Sequence, residues 1–258
     1  MKHRLGPFLT YVYIFAFLVF LYAPVLVMMA MSFNRSPLYD LPIVFDLRWF
    51  RALMTNSRLI LATRNSLLLA LANTCTATVI GIPTALTLSR YEFKLKSLLS
   101  VLLVPPVAIP WLILAVSMLL FFQTVGLGRS LPSMYVGHVA VSLPYAILVM
   151  TARLSGSDPT LEEAAMSLGA NPLTTFLRIT LPLMLPGVLA AALFSFTVSF
   201  DNFVISYFLA PPGVSTLPVE IYSAIRKGFT PEINAIATIT FGLSMLLVLI
   251  ATRLVRFD

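Results

Sequence analysis

The chain has 258 residues, of which 59% are hydrophobic and 10% charged, and its formal net charge is +7. Soluble domains carry about 25% charged residues, so this composition excludes a single water-soluble core and marks an integral membrane protein. The basic residues sit scattered at the ends of apolar runs rather than clustered on one soluble face, which argues for the lipid bilayer and against nucleic acid as a partner.

Uncharged runs cover 5–34, 65–89, 97–128, 130–152, 179–200 and 233–252. Each can cross a hydrocarbon core of about 30 Å, which takes about 20 helical residues. The runs are continuously apolar and lack the alternation of barrel strands, so the expected fold is all-α with six transmembrane helices in one membrane domain, 1–258. The first run is too long for the core of a signal peptide and is expected to be a retained helix.

Between the first two spans, "LRWFRALMTN" (47–56) places Trp49, Phe50, Leu53 and Met54 on one helical face, flanked by Arg48 and Arg51. That pattern suits a short helix lying at the membrane interface, or a loop helix packed on the protein's own surface. In the second span Cys75, the lone cysteine, lies in "NTCTAT", where small residues let helices approach, so it is expected to be a packing residue. Pro83 in the second span, and Pro105, Pro106 and Pro110 in the third, should bend their helices and free carbonyls, either lining a cavity or serving bent packing alone. His138, near the start of the fourth span, is expected to serve helix packing or bond a backbone group.

The fourth and fifth spans are joined by a polar segment, 153–184, containing "EEAAMSLGANPLTTFLRITLP" (162–182). Asp158 followed by Pro159 is a helix start, with a capping carboxylate and then proline at the first helical position. Glu162 and Glu163 suit the positive end of that helix. Leu161, Ala164, Ala165 and Leu168 form a narrow apolar stripe, and Gly169 is placed to end the helix in a left-handed cap. Asn171 and Pro172 start a second short helix carrying Leu173, Phe176 and Leu177, which Pro182 should interrupt. Two short helices at a sharp angle are therefore expected to project from the membrane.

Asp201 is the one acidic residue within an expected span. A charge at a helix centre costs about 2.5 to 3.5 kcal/mol on insertion scales, so it should face the bundle interior. The fifth span is expected to continue past it toward Ala210, leaving Asp201 roughly 24 Å from the membrane edge at which that span starts. There it can receive a cationic solute, with Phe200, Phe203 or Tyr207 adding cation-π contacts, or pair with an arginine such as Arg64. Glu220, Tyr222 and Glu232 flank the last outer loop, as an outer gate, a partner contact or a solvated face.

The seventeen basic residues divide almost evenly between the two sides of the membrane, so charge alone does not orient the chain. Nothing follows the phosphate-cradling pattern G-x-x-x-x-G-K-[ST], and no metal-ligand spacing or G-x-S-x-G elbow is present. The chain is not expected to be an enzyme or to bind a cofactor.

Glu163, Ala164, Ala165, Gly169, Ile179, Leu181 and Pro182, at their spacings, resemble the EAA motif of permease subunits of binding-protein-dependent ATP-binding-cassette importers. The stretches "LSRYEFKLKSLLSVLLVPP" (88–106), "FSFTVSFDNFVISYF" (194–208) and "LPVEIYSAIRKGFTPEINAIAT" (217–238) resemble the polyamine (spermidine/putrescine) branch, and its second permease subunit in particular. The resemblance implies a type I importer permease (MetI-like) fold in the bacterial inner membrane. It also implies cytoplasmic termini and a docking helix that inserts into a groove on an ATPase. The partners would be a homologous second permease subunit, two ATPase subunits that hold ATP and Mg²⁺, and a periplasmic substrate-binding protein. Polyamine permeases commonly carry a second acid after the first; here that position is Asn202, which implies a lower charge on the cargo. The alternatives are the same importer with another cargo, an amine-containing solute, an anion or a metal complex, or a self-sufficient secondary transporter or channel.

Overall fold

A computed structural model describes residues 2–37, 40–227 and 231–255; Arg256, one of the seventeen basic residues, lies outside them. The described residues form helices α1 (Lys2–Ser32), α2 (Arg48–Thr55), α3 (Ser57–Arg90), α4 (Lys96–Leu102), α5 (Pro105–Ala108), α6 (Trp111–Thr124), α7 (Leu131–Ser155) and α8 (Thr160–Ser167). After these come α9 (Pro172–Thr175), a π-helical turn (Phe176–Thr180), α10 (Leu181–Phe200), α11 (Phe203–Leu209), α12 (Leu217–Lys227) and α13 (Glu232–Val255). Among the described residues, four helices are long and apolar enough to cross a bilayer: Thr10–Ser32, Ser57–Arg90, Leu131–Ser155 and Pro172–Phe200. The count is five if one bent pair makes a single span, and the last expected run falls in α13, whose described apolar part is Glu232–Leu246.

The chain forms two compact units, one from Met1–Ile60 with Ile221–Met245, the other from Leu61–Glu220 with Leu246–Asp258. In the first, Asn34 is a buried polar hub. Its amide donates to the Asp40 carbonyl at 2.8 Å and its oxygen accepts the Val44 N–H at 3.2 Å. The α2 helix rests on the same loop, because Trp49 Nε1 donates to the Asn34 carbonyl at 2.7 Å and Phe50 stacks on Phe33 at 5.0 Å. Leu53 is buried while Met54 is 78% exposed. The apolar face of α2 is thus largely satisfied by the protein itself, which favours the second of the two expectations, a loop helix packed on the protein's own surface.

In the second unit α7 packs along α10, with α6 and α11 against them. One core cluster joins Leu69, Ala115, Phe122, Met134, Val141 and Ile205; a second joins Ala77, Ala146, Met150, Leu154, Met184 and Val188. Close approach of α7 and α10 depends on Gly187, where a Cβ would lie 2.7 Å from Arg153 Cβ.

The prolines of the third run bend it, as expected: Lys96–Ala108 and Trp111–Thr124 meet at 111°. Ile109, ahead of Pro110, takes an extended ψ of 135°, the conformation into which proline pushes its predecessor. Two other expectations change. The fifth span does not run on to Ala210. It stops at Phe200, because Asn202 turns extended and caps α11 by accepting the Ile205 N–H at 2.9 Å. Cys75 is exposed on α3 rather than packed between helices.

Candidate functional site

The segment between α7 and α10 is built from local capping. Asp158 Oδ1 accepts the Thr160 N–H at 2.9 Å, and that bond holds its carboxyl below the ordinary carboxylate range. The cap is therefore intact at neutral pH and is lost only as pH falls through the lowered value. At the other end of α8, Gly169 has φ +91°. Its N–H donates to the Met166 carbonyl and the Ala170 N–H to the Ala165 carbonyl, both at 3.0 Å. This pair of bonds around a left-handed glycine is the Schellman arrangement.

Asn171 then caps the next helix, accepting the Thr174 N–H at 2.8 Å. Pro182 does not interrupt that helix, contrary to expectation. The π-helical turn, in which the Leu181 N–H reaches back to the Phe176 carbonyl, absorbs the proline that cannot donate. Pro172–Phe200 is consequently a single 29-residue helix, and α8 is the one short helix projecting from this segment.

On α8 the stripe faces outward. Leu161 is exposed and Leu168 is 89% exposed, with Met166 also exposed beside them; Ala164 and Glu163 are exposed as well. Ala165, Ile179 and Leu181 are half-buried, and Pro182 is exposed. Glu162 turns the other way, into an ion pair with Arg90 at 3.1 Å. The local caps were readable from sequence spacing, whereas the Arg90 contact was not, because its partners lie 72 residues apart.

The second group of candidates surrounds the break between α10 and α11. Asp201 is exposed at the end of α10, its N–H bonded to the Thr197 carbonyl at 3.0 Å. Among the described residues no ion pair joins it to Arg64; the pairs present are Arg48–Asp46, Arg90–Glu162 and Lys96–Glu92. Phe200 is buried and stacked on Phe196 at 5.6 Å. Phe203 and Tyr207 sit 5.2 Å apart on α11, with Tyr207 exposed. Asn202 is buried and engaged in capping. Tyr207 also lines an open cavity of about 350 Å³ with Leu119, Arg129, Phe208 and Val214. The Arg129 guanidinium there caps α11 by donating to the Ala210 carbonyl at 3.0 Å.

His138 was missed as part of this region. It is 1% exposed, and its ring nitrogens bond Ser199 Oγ at 2.8 Å and Ser206 Oγ at 3.0 Å, one on each side of the break. The ring is buried between helices, as the packing expectation has it, and its partners are side-chain hydroxyls rather than a backbone group. The network continues through Ser142 Oγ, whose single O–H has two acceptors in reach, Asn73 Oδ1 at 2.7 Å and the His138 carbonyl at 2.8 Å, and the Asn73 amide in turn donates to the Ser195 carbonyl.

Pro83 is accommodated inside α3 and lines an apolar hollow of about 490 Å³ with Val79, Ile82, Leu86, Phe176 and Leu181. Of the outer-loop candidates, Glu220 is half-buried in the first turn of α12. In the other unit, Tyr222 lies under Arg226, 5.9 Å from ring centre to guanidinium, and Glu232 accepts a hydrogen bond from Asn56 at 3.1 Å.

Residues 77–257 match the family described as binding-protein-dependent transport system inner membrane component. The chain is 36% identical over 253 residues to the spermidine/putrescine transport system permease protein PotC of Escherichia coli K12, covering 98% of this chain and 94% of that one. It is 34% identical over 230 residues to the putrescine transport system permease protein PotI of the same organism, covering 86% and 82%. A bacterial ABC transporter that imports the acidic polysaccharide alginate has the same fold, with a TM-score of 0.74 at 16% identity over 100% of this chain and 98% of that one. With the family matched over most of its length and near relatives over almost all of it, the chain belongs to the binding-protein-dependent transport system inner membrane components, as an all-helical, multi-pass ABC importer permease.

Proposed function

We propose that this permease imports a small cationic solute, a polyamine such as spermidine or putrescine, and that α8 is the helix its ATPase grips. The observation that carries the docking role is the outward stripe of Leu161, Ala164 and Leu168 on a capped helix between two spans. Small side chains let a helix enter a cleft that bulky ones would block, and an acidic first turn can meet basic groups on a partner. Glu163, Ala165, Gly169, Ile179, Leu181 and Pro182 complete the coupling segment within 153–184, which lies in the cytoplasm with both termini. ATP and Mg²⁺ belong to two partner ATPase subunits. A homologous second permease subunit completes the path, and a periplasmic binding protein delivers the cargo.

The cargo assignment is supported by the 36% identity to a spermidine/putrescine permease and by the exposed Asp201 carboxylate beside Phe203 and Tyr207. A carboxylate and aromatic faces are the groups that receive an ammonium. Asn202, buried as a helix cap, does not set the cargo's charge in this arrangement. Glu220, Tyr222 and Glu232 serve the outer gate or the binding-protein contact.

Asp201→Asn is expected to lower uptake of radiolabelled spermidine by about tenfold to a hundredfold, the worth of one hydrogen bond to a charged group, with unchanged amounts of protein in the membrane. Undiminished uptake would remove Asp201 from the path and favour an anionic or metal-complex cargo.

A further inference from the structure

The two acids that open the motif segment point in different directions. Glu163 is exposed, whereas the Glu162 side chain is 15% exposed and meets an Arg90 side chain that is 14% exposed. Arg90 is the last residue of α3, a 34-residue helix and thus a rod of about 50 Å. Its guanidinium does more than pair. Nε and Nη2 both reach Glu162 Oε1, at 3.3 and 3.1 Å. Nη2 also donates to Ser157 Oγ at 2.8 Å, and Nη1 to the Ser157 carbonyl at 3.4 Å. Ser157 Oγ in turn donates to the Leu154 carbonyl at the end of α7. One planar fork therefore ties the end of α3 both to the first turn of α8 and to the link that joins α7 to α8. A lysine, with a single point of charge, cannot hold both partners in this geometry.

We propose that Arg90 is the strut through which movement of α8 is passed to α3, with Glu162 as its seat inside this subunit and Glu163 left to the ATPase. This deepens the docking role proposed above and rests on it. A helix that is pulled by a motor moves the membrane part only as far as its attachments are stiff. The α8 helix is followed by the Gly169 turn and preceded by Gly156, Ser157 and Asp158, so its covalent links are short loops. The half-buried fork supplies a lateral tie that those loops lack, and it acts on a different span from the two to which α8 is chained.

The lone cysteine offers a direct readout, because Cys75 is exposed on α3 itself. The assembled complex, with the cysteines of the other subunits replaced, is labelled at Cys75 with a nitroxide. Its spectrum is recorded without nucleotide and with ATP plus vanadate, alongside ATP hydrolysis. The unsubstituted complex is expected to hydrolyse ATP and to show a nucleotide-dependent change at Cys75. Arg90→Ala should keep the ATPase bound and hydrolysing while the Cys75 change shrinks about tenfold, the size of effect that a residue between two coupled sites can have. The reversed pair Arg90→Glu with Glu162→Arg should restore most of the change, and Arg90→Lys should fall between. A full Cys75 response in Arg90→Ala, a reversed pair no better than Arg90→Ala, or an unsubstituted complex that hydrolyses ATP with a silent Cys75 would each overturn the strut. Should Arg90→Ala fail to accumulate, Arg90→Lys and the reversed pair decide by the same criteria. A complex in which no ATPase binds at all counts against the docking role of α8, and the strut falls with it.

Discussion

A Gly169→Pro protein is expected to reach the membrane in normal amount and to import solute about a hundredfold more slowly. Gly169 has φ +91°, and proline is held near −65°, so the left-handed turn cannot form around it. Its N–H, which donates to the Met166 carbonyl at 3.0 Å, is also deleted. A loss of about 3 kcal/mol in the turn corresponds to roughly a hundredfold fewer molecules with α8 correctly aimed. A Cβ at this position would meet nothing within 4 Å, so the objection to other residues is conformational and not steric. That separates the variants: asparagine, which tolerates the left-handed region, should import best among them, and alanine should lose about 1 to 2 kcal/mol. Radiolabelled uptake, set against the amount of protein in the membrane and its co-purification with the ATPase, checks the series. Uptake by Gly169→Pro at the unsubstituted rate would break the link between the shape of α8 and transport.

The features of this segment that were legible in the sequence are those that depend on a few adjacent residues. Asp158, Gly169 and Asn171 each act on backbone groups within four positions, and spacing alone therefore identifies them. Pro182 was misleading because its effect depends on the turn before it: a π-helical turn at Phe176–Thr180 lets a proline pass that would break an ordinary α-helix. Apolar runs have the opposite defect. A span is uncharged nearly throughout, so its hydropathy reports its length but not where its helix stops. The prolines of the third run announced its 111° break, whereas the stop at Phe200 is decided by the capping side chain of Asn202, a signal that continuous hydropathy hides. Contacts between distant residues left no local trace at all. The pairing of Arg90 with Glu162 and the hydroxyl partners of the buried His138, Ser199 and Ser206, exist only once the fold brings them together.

His138→Ala is expected to destabilise the protein by about 2 to 4 kcal/mol. The ring occupies a fully enclosed position and bonds two hydroxyls, on Ser199 at the end of α10 and on Ser206 in α11. Its removal leaves a cavity, which for buried side chains costs about 2 to 5 kcal/mol, and orphans two buried hydroxyls at about 1 to 3 kcal/mol each. Two effects pull the total below the sum. A helical serine can turn its hydroxyl onto the carbonyl four residues back, and hydrogen bonds between transmembrane helices average only about 0.6 kcal/mol in double-mutant cycles. The cavity therefore carries most of the loss, and thermal unfolding in detergent should show the midpoint falling by about 5 to 10 °C. Ser199→Ala, which removes one hydroxyl and makes little cavity, should cost about 1 kcal/mol or less. The Asp201–Asn202 break lies between the two serines, so loosening this clamp should also disorder the position of Asp201, and spermidine uptake should fall further in His138→Ala than in Ser199→Ala. A midpoint within 1 °C of the unsubstituted protein would show that the network is idle, and that α10 and α11 are held in place by their apolar contacts to α6 and α7 alone.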